Sequence, residues 1–373
     1  MTALSGLRVL ELAGLGPGPF AGMLLADLGA DVVVVDRPGT GNDLVGDAAQ
    51  NLLNRGKRSV ALDLKTPDGV ATALDLAGRA DVLIEGFRPG VCERLGLGPE
   101  HCWERNPALV YGRMTGWGQD GPLAHAAGHD LAYLALTGVL HAIGNADARP
   151  QVPLNLVGDF GGGSLYLVVG LLAALRHAER TGRGQVVDAA IVDGAAHLST
   201  LFHGLLSAGR WEDRRGVNLL DSGAPFYDTY ECSDGGYMAV AALEPQFYAE
   251  FVRLLGLDGP SLPGQMDRKA WPALRGLISA AFRSRSRDDW AKVFEGSDAC
   301  VSPVLSLREA PLHPHLSARG AFVAPDGVAQ PAPAPRFSAT PATAGRPPAT
   351  PGRHTSEVLR DWGVSSTAVE ETS

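Results

Sequence analysis

Short apolar runs alternate with helical segments along the first 115 residues, and this alternation constrains the fold more than any other feature. The run Arg8–Leu12 (RVLEL) is followed by a Gly/Pro loop, a helical segment ending near Asp27 and a second apolar run, Ala30–Val35. Parallel strands need crossover connections of this kind, because a tight turn joins only antiparallel strands. Further segments of the pattern are strand-like Ser59–Leu62, helical Val70–Ala77, and strand-like Asp81–Ile84 and Leu109–Arg113. The pattern predicts an α/β fold with a doubly wound parallel sheet.

The next hundred residues are mostly helical in pattern. Helical periodicity runs over Leu131–Ile143, Gly161–Arg176 and Asp193–Asn218, and a strand-like run, Gly184–Ile191, lies among them. The longest apolar stretch, Leu165–Leu175, has eleven residues, whereas a membrane-spanning helix needs about 20. We therefore predict no transmembrane helix.

A second domain begins near residue 227. Tyr227–Cys232 and Tyr237–Leu243 flank the turn Ser233–Gly236, which is typical of a β-hairpin. The segments that follow are helical Gln246–Leu255, Pro272–Arg283 and Arg287–Phe294, and strand-like Cys300–Leu305. They predict a smaller α+β domain. After Pro325 the chain is rich in Pro and Ala, so we expect an extended segment before a short helix, Ser356–Trp362.

Composition excludes several classes of protein. The 373 residues are 45% hydrophobic and 20% charged, which is typical of a folded globular chain rather than a disordered one. The net charge is −9 and only four residues are Lys, so a nucleic-acid partner is not expected. The four cysteines, at positions 92, 102, 232 and 300, form no CxxC pair, so neither a disulfide framework nor a zinc site is indicated. With no secretory leader pattern at the N-terminus, we expect a cytoplasmic protein.

The loop after the first strand resembles a dinucleotide fingerprint. Gly16-Pro-Gly-Pro-Phe-Ala21 fits the relaxed G-x-G-x-x-G/A pattern, and Asp36 stands about 20 residues further on. Pro17 and Pro19 remove backbone donors that a pyrophosphate needs, which favours a tight turn with Pro entering a helix. An NAD-linked dehydrogenase stays as the alternative.

Basic side chains are concentrated in the first hundred residues of this acidic chain. They are Arg37, Arg55, Lys57, Arg58, Lys65, Arg88 and Arg94. Several follow a predicted strand directly, and ligands of doubly wound sheets bind at the carboxyl ends of strands. The cluster predicts a ligand that carries several phosphates, although each cation alone fits a solvated face.

Three titratable residues lie at the starts of predicted helices. They are His129 in Gly128-His129-Asp130, Asp159 in VGDFGGGS, and Glu244 before Pro245. Carboxylates are favoured at helix starts, so the two acids also have a purely structural interpretation. The glycine triplet would let backbone approach a ligand closely, and helix amides beside it could stabilise an anion. The residues alone leave both interpretations open.

Longer motifs make the chain similar to the family III CoA transferases, and within them to the α-methylacyl-CoA racemases. The motifs span nearly the whole chain and include LSGLRVLELAGLGPGPFAGMLLADLGADVV from Leu4, ADVLIEGFRPGVCERLGLGPE from Ala80, AGHDLAYLALTGVLHAIG from Ala127, PLNLVGDFGGGS from Pro153 and GAPFYDTYEC from Gly223. The resemblance implies a Rossmann-like large domain, a small α+β domain and an interlocked homodimer. We assign the large domain to residues 1–190 and 330–373, linkers to 191–226 and 312–329, and the small domain to 227–311.

The resemblance also implies the site. His129 and Asp159 match the two acid/base groups of the racemases, and Glu244 matches a small-domain Glu that supports the His. The implied CoA contacts are Arg37, Leu62, Asp63, Leu64, Lys65, Gly86, Phe87, Arg88, Arg94, Gly128, His129, Asp130, Leu131, Ala132 and Tyr133. No metal or redox cofactor is implied, because CoA is part of the substrate.

The implied activity is racemisation of 2-methylacyl-CoA thioesters. The alternative is CoA transfer between carboxylic acids, with Asp159 as the nucleophile. Family transferases carry Gln where this chain has Gly16, and a mobile glycine loop in the small domain that has no counterpart near Glu244. Both departures favour the racemase.

Overall fold

The computed structural model of the protein describes residues 1–39 and 46–365, and its centre is a six-stranded parallel sheet. The strands are β1 (Arg8–Leu12), β2 (Asp31–Asp36), β3 (Arg58–Ala61), β4 (Val82–Glu85), β5 (Val110–Thr115) and β6 (Val186–Ala190). Their order, β3-β2-β1-β4-β5-β6, is that of a Rossmann sheet. The predicted parallel sheet is confirmed.

Helices cover both faces of this sheet because both faces are apolar. Leu10 and Leu12 of β1 pack into one buried cluster and Val9 into another, so neither side of the strand contacts water. The helices of the first half are α1 (Pro17–Asp27), α2 (Pro67–Ala77), α3 (Val91–Arg94), α4 (Pro99–Arg105), α5 (Asp130–Leu136), α6 (Val139–Ala142), α7 (Leu165–Thr181) and α8 (Ile191–Leu198). Because all the strand pairs are parallel, the carboxyl ends of the strands lie at one edge of the sheet.

The chain divides into two compact units. The first contains residues 1–137, 154–198 and 314–373, and the second contains 138–153 and 199–313. This division differs from the sequence-based one, because segment 138–153 groups with the second unit. There the Arg215 guanidinium donates to the carbonyl oxygen of Ala148.

The second unit is built on an antiparallel sheet. Its strands are β7 (Tyr227–Glu231), β8 (Tyr237–Ala241) and β9 (Val301–Pro303), in the order β7-β8-β9. Its helices are α9 (Thr200–Ser207), α10 (Pro245–Leu255), α11 (Trp271–Phe282) and α12 (Arg287–Phe294). Aromatic side chains fill the core between sheet and helices, with Phe226, Phe251 and Phe282 fully buried. The predicted hairpin and its following helices are confirmed.

Two predicted helices are shorter than their periodicity suggests. The run Leu131–Ile143 is broken between α5 and α6, because Gly138 adopts a left-handed conformation with φ 79°. The run Asp193–Asn218 ends as a helix at Ser207, and turns follow it. Apolar spacing at 3.6 residues continues through a short break, so the pattern alone does not reveal it.

The C-terminal part returns to the first unit. It contains α13 (Pro314–Ala318), the two-residue strands β10 (Phe322–Val323) and β11 (Gln330–Pro331), and α14 (Thr355–Trp362). From residue 332 to residue 354 no helix or strand forms in the described chain, as its proline content predicts. Residues 366–373 of the predicted large domain lie outside the described residues.

One continuous helical stretch, Leu154–Thr181, is 28 residues long and apolar enough to cross a membrane by length and composition. The sequence predicted no such span. Within α7, Leu167 and Leu171 are fully buried in the core cluster against β5. A helix that packs its apolar face on a sheet has the same composition, so the stretch gives no separate support for a membrane span.

Candidate active site

Loops that follow β1 to β4 enclose a cavity of about 570 Å³ at the carboxyl edge of the large sheet. Ligands of such sheets bind at this edge, and the volume suits a small ligand or cofactor. The predicted CoA contacts that line it are Arg37, Leu62, Asp63, Leu64, Lys65 and Phe87. The structure thus brings together residues from three separate loops at one cavity.

The other predicted CoA contacts do not line this cavity. Lys65 and Arg94 line a neighbouring groove of about 510 Å³. Gly86, Arg88 and the stretch 128–133 line neither space. Burial raises the pKa of the Tyr133 phenol, Asp159 raises it further, and Arg88 opposes the rise. Arg88 therefore lies close enough to Tyr133 to act on it electrostatically.

Three cations of the predicted polyphosphate cluster are internal instead. Arg55, Lys57 and Arg58 are 5%, 2% and 7% exposed. Two of them form buried ion pairs, Arg55 with Asp27 at 2.6 Å and Lys57 with Glu11 at 2.7 Å. Arg58 pairs with the partly exposed Asp31 at 2.6 Å. The prediction that these three bind a ligand is wrong, because Arg55 and Lys57 each neutralise a buried carboxylate and the buried Arg58 is held by Asp31, Glu357 and Asp361. Glu11 lines the cavity, so the Lys57 pair forms part of its wall.

His129 and Asp159 lie in one electrostatic neighbourhood. His129 is exposed immediately before α5, and Asp159 is half-buried in the segment leading to α7. Burial raises the pKa of the Asp159 carboxyl, and Asp130 raises it further, while a hydrogen bond from Asn155 and the charge of His129 lower it. A carboxyl whose pKa is raised by burial lies here near an exposed imidazole, and two such groups can exchange the roles of proton donor and acceptor.

The backbone around Asp159 forms wide π-type turns over Val157–Ser164. The Asp159 side chain makes no capping hydrogen bond there, so the interpretation of Asp159 as a helix cap is wrong. The glycine triplet permits close packing. A Cβ on Gly162 would lie 2.7 Å from the Ala195 nitrogen of α8, and one on Gly163 would lie 3.0 Å from Ile191.

Asp130 contributes its carboxylate to this segment, which the sequence analysis did not foresee. Its Oδ1 accepts the backbone N–H of Asp159 at 2.7 Å, and the Gly158 N–H also donates to the carboxylate. The glycine-rich motif suggested that backbone amides here bind an anion. The amides of Gly158 and Asp159 are not free to do so, because they already donate to Asp130. The contact joins α5 to a segment 29 residues away, and no local sequence pattern reports a contact of that range.

The turn at the start of α1 also lies close to the Asp159 carboxylate. A Cβ on Gly16 would lie 3.3 Å from the Asp159 Oδ2. The Ser164 hydroxyl lies within hydrogen-bonding distance of the carbonyl oxygens of Pro17 and Asp159, at 2.8 and 3.0 Å. A carboxylate beside the Gly16 turn disfavours a pyrophosphate at that position, which argues against the nicotinamide alternative.

Glu244 lies in the second unit, at the end of the loop after β8. It is exposed and occupies the N-cap of α10 without a capping hydrogen bond from its side chain. The Gln265 side chain donates to the carbonyl oxygens of Ala242 and Leu243, at 3.1 and 2.8 Å. The backbone that carries Glu244 is thereby held while its carboxylate projects from the unit.

Comparison with known proteins identifies the family of this chain. The model of CoA-transferase family III matches residues 4–355. The chain belongs to that family. It is similar to alpha-methylacyl-CoA racemase of Mus musculus, with 48% identity covering 97% of this chain and 94% of that protein. It is also similar to succinyl-CoA:glutarate CoA-transferase of Mus musculus, with 30% identity covering 97% and 86%.

A solved structure supports the fold of the family III chain. The crystal structure of a CAIB/BAIF family protein from Brucella suis matches with a TM-score of 0.84 and 28% identity, covering 97% of this chain and 99% of that one. The family prediction from the motifs is confirmed. At nearly equal coverage, identity to the racemase exceeds identity to the transferase by a wide margin.

Proposed function

We propose that this chain is an α-methylacyl-CoA racemase that interconverts (2R)- and (2S)-2-methylacyl-CoA thioesters. The observation that carries the proposal is the pairing of an exposed imidazole, His129, with a half-buried carboxyl, Asp159, whose pKa burial raises. The identity of 48% to a racemase, against 30% to a transferase, supports this activity over CoA transfer.

Inversion at a carbon α to a thioester needs two different acid/base groups. One group removes a weakly acidic proton from one face, and the other delivers a proton to the opposite face of the enolate. A neutral His129 serves as the acceptor in one direction, while protonated Asp159 serves as the donor. Their roles exchange in the other direction. The step requires neither a redox cofactor nor a metal, since only protons move.

The cavity at the sheet edge is proposed to hold the CoA part of the substrate. Arg37 and Lys65 supply positive charge for its phosphates, and Arg94 adds a third cation in the neighbouring groove. Leu62, Leu64 and Phe87 supply apolar surface. CoA enters and leaves as part of the substrate.

The active protein is proposed to be an interlocked homodimer in which Glu244 supports His129. In the first unit, α7 and α8 leave apolar side chains uncovered, among them Val169 at 67% and Leu198 at 47% exposure. Uncovered apolar surface of this kind is typical of an interface. Light scattering should give twice the chain mass of 39.0 kDa, and an active monomer would contradict the proposal.

Deuterium exchange tests the proposed activity. A single enantiomer of a 2-methylacyl-CoA, incubated with the protein in D2O, should gain deuterium at Cα and lose optical purity. The Asp159→Asn variant is the matched control and should not racemise. Unchanged substrate over a series of acyl chains would contradict the proposal. Transfer of labelled CoA to an added carboxylic acid, with hydroxylamine-sensitive inactivation, would favour the transferase instead.

A further inference from the structure

The buried carboxylate of Asp130 links the two acid/base groups of the site. Asp130 follows His129 directly in the chain, is the first residue of α5, and is only 9% exposed. Its Oδ1 accepts the Asp159 N–H at 2.7 Å, and Gly158 donates to the same carboxylate. One side chain therefore connects the backbone of His129 with the backbone of Asp159.

This contact is more than a helix cap. An acid in the first turn of a helix is ordinarily explained by the dipole of that helix. Here the carboxylate is bonded to amides 28 and 29 residues further along the chain. Gly158 approaches so closely that a Cβ there would lie 2.2 Å from the Asp130 Oδ1. The glycine is thus required for the contact to form.

Among the described residues, no Lys or Arg lies within ion-pair distance of the Asp130 carboxylate. Burial raises the pKa of the Asp130 carboxyl, and the two amide donors oppose that rise. A negative charge at this position acts on the nearby Asp159 and favours the protonated form of that carboxyl. The titratable side chains around Asp130 are His129 directly before α5, Tyr133 on α5, Asp159 on the segment packed against α5, and Asp193 and His197 on α8.

We propose that Asp130 is a positioning residue: through the Gly158 and Asp159 amides it fixes Asp159 relative to His129, and when ionised it places a negative charge beside Asp159. The proposal rests on the proposed racemase activity. It assigns to Asp130 a role distinct from contact with CoA, because its carboxylate is directed at the backbone of the site.

Substitution of Asp130 separates its two effects. Asp130→Asn removes the charge and keeps the shape, whereas Asp130→Glu keeps the charge and displaces it by one methylene. In Asp130→Asn, deuterium exchange from the enantiomer served by Asp159 should fall about 10- to 100-fold, the range expected for losing a charged hydrogen bond. Exchange from the other enantiomer should fall much less. Asp159→Ala identifies which enantiomer Asp159 serves.

The titration of Asp159 is the readout that a purely structural role would not move. In protein labelled with 13C at aspartate carboxyls, the Asp159 signal is assigned by its loss in Asp159→Asn. The signal should titrate at lower pH in Asp130→Asn, because the repelling charge is gone, and close to the wild-type pH in Asp130→Glu. Glu100→Gln, an exposed acid in the first turn of α4, should leave both titration and exchange unchanged.

Two results would overturn the proposal. One is wild-type exchange from both enantiomers in Asp130→Asn, and the other is an equal loss from both with an unmoved Asp159 titration. The titration does not depend on turnover. If the wild-type protein fails to exchange the α proton, the proposed activity is wrong, while the Asp159 signal still decides whether Asp130 acts on it.

Discussion

At the scale of single residues, the two proposed acid/base groups differ in their exposure to water. His129 is exposed, so its imidazole can take up and release protons to solvent. Asp159 is half-buried and contacts the start of α1, a neighbouring carboxylate and the Asn155 amide. Two groups in unlike environments can hold opposite protonation states at one pH, which is the requirement for proton transfer across a planar enolate.

The first prediction separates the two bases. His129→Ala and Asp159→Ala should each abolish inversion in both directions, because inversion needs a donor and an acceptor. Each variant should still exchange the α proton of the one enantiomer that faces its remaining base. The residual exchange should be slower by a factor of about 10² to 10⁴, the contribution of one acid/base group. The measurement is deuterium incorporation into each pure enantiomer.

The exchange pattern also identifies the role of Glu244. Glu244→Gln should weaken exchange through His129 more than exchange through Asp159, since its proposed function is to support the imidazole.

Two outcomes would contradict the first prediction. Equal loss of exchange from both enantiomers in His129→Ala and in Asp159→Ala would contradict two independent bases. Full racemisation by Asp159→Ala would remove Asp159 from the mechanism.

At this scale, sequence motifs identified candidate residues for the chemistry but not what surrounds them. His129 and Asp159 were predicted from their motifs, and the structure places them together. Arg55 and Lys57 were predicted to face a ligand, yet both are buried in ion pairs. Nothing in the local sequence distinguishes a basic residue on a surface from one opposite a distant carboxylate, because the partner comes from another strand or helix.

At the scale of elements, close backbone contact between α8 and segment 157–164 fixes the position of Asp159. The two backbones are so close that a Cβ on Gly194 would lie 1.8 Å from the Gly162 carbonyl oxygen. Such contact is possible only between glycines. The π-type turns of Val157–Ser164 are therefore packed directly on α8.

The second prediction tests this packing. Gly162→Ala should lower the free energy of unfolding by about 1–3 kcal/mol, the usual cost of overpacking, and should also lower kcat because the Asp159 segment must move. Gly276→Ala is the matched control. Gly276 is exposed in α11 with open space around it, so alanine there should add about 0.5–1 kcal/mol of stability. The measurements are urea denaturation and racemisation rate.

An unchanged stability and rate in Gly162→Ala would show that the segment tolerates displacement and that the triplet has another purpose.

The helices and strands themselves were largely predictable from the sequence. The strands of a buried parallel sheet are continuous apolar runs, and β1 to β6 all have predicted counterparts. The π-type turns were not predictable, because they arise from contact with α8 rather than from local spacing.

At the scale of the whole molecule, the C-terminal segment closes the edge of the large sheet. β3 is an edge strand, and its outward amides need partners. The Ser59 N–H donates to the His354 Nδ1 at 3.2 Å, and the Ala61 N–H donates to the Thr355 hydroxyl at 3.1 Å. Pro351 of the same segment lines the cavity. The last part of the chain thus completes a site formed mainly by the first hundred residues.

The third prediction concerns the pH dependence of this closure. His354 is 9% exposed, and burial, reinforced by the charge of Arg346, lowers the pKa of its imidazole from 6.5. The unfolded chain therefore binds more protons than the folded chain as pH falls below about 6.5, and stability that is full above this pH is lost below it. Protonation at Nδ1 would also remove the acceptor for the Ser59 amide.

The variant His354→Asn tests this prediction, because its side-chain carbonyl keeps an acceptor that does not titrate. The free energy of unfolding of the wild type minus that of the variant should be constant above pH 6.5 and should fall between pH 6.5 and pH 5. Urea denaturation across this range gives that difference. The protection factor of the Ser59 amide, its intrinsic exchange rate divided by the observed rate, should fall in the wild type over the same interval. A difference that stays constant down to pH 5 would show that the imidazole is not held neutral and that the edge of β3 is closed by other contacts.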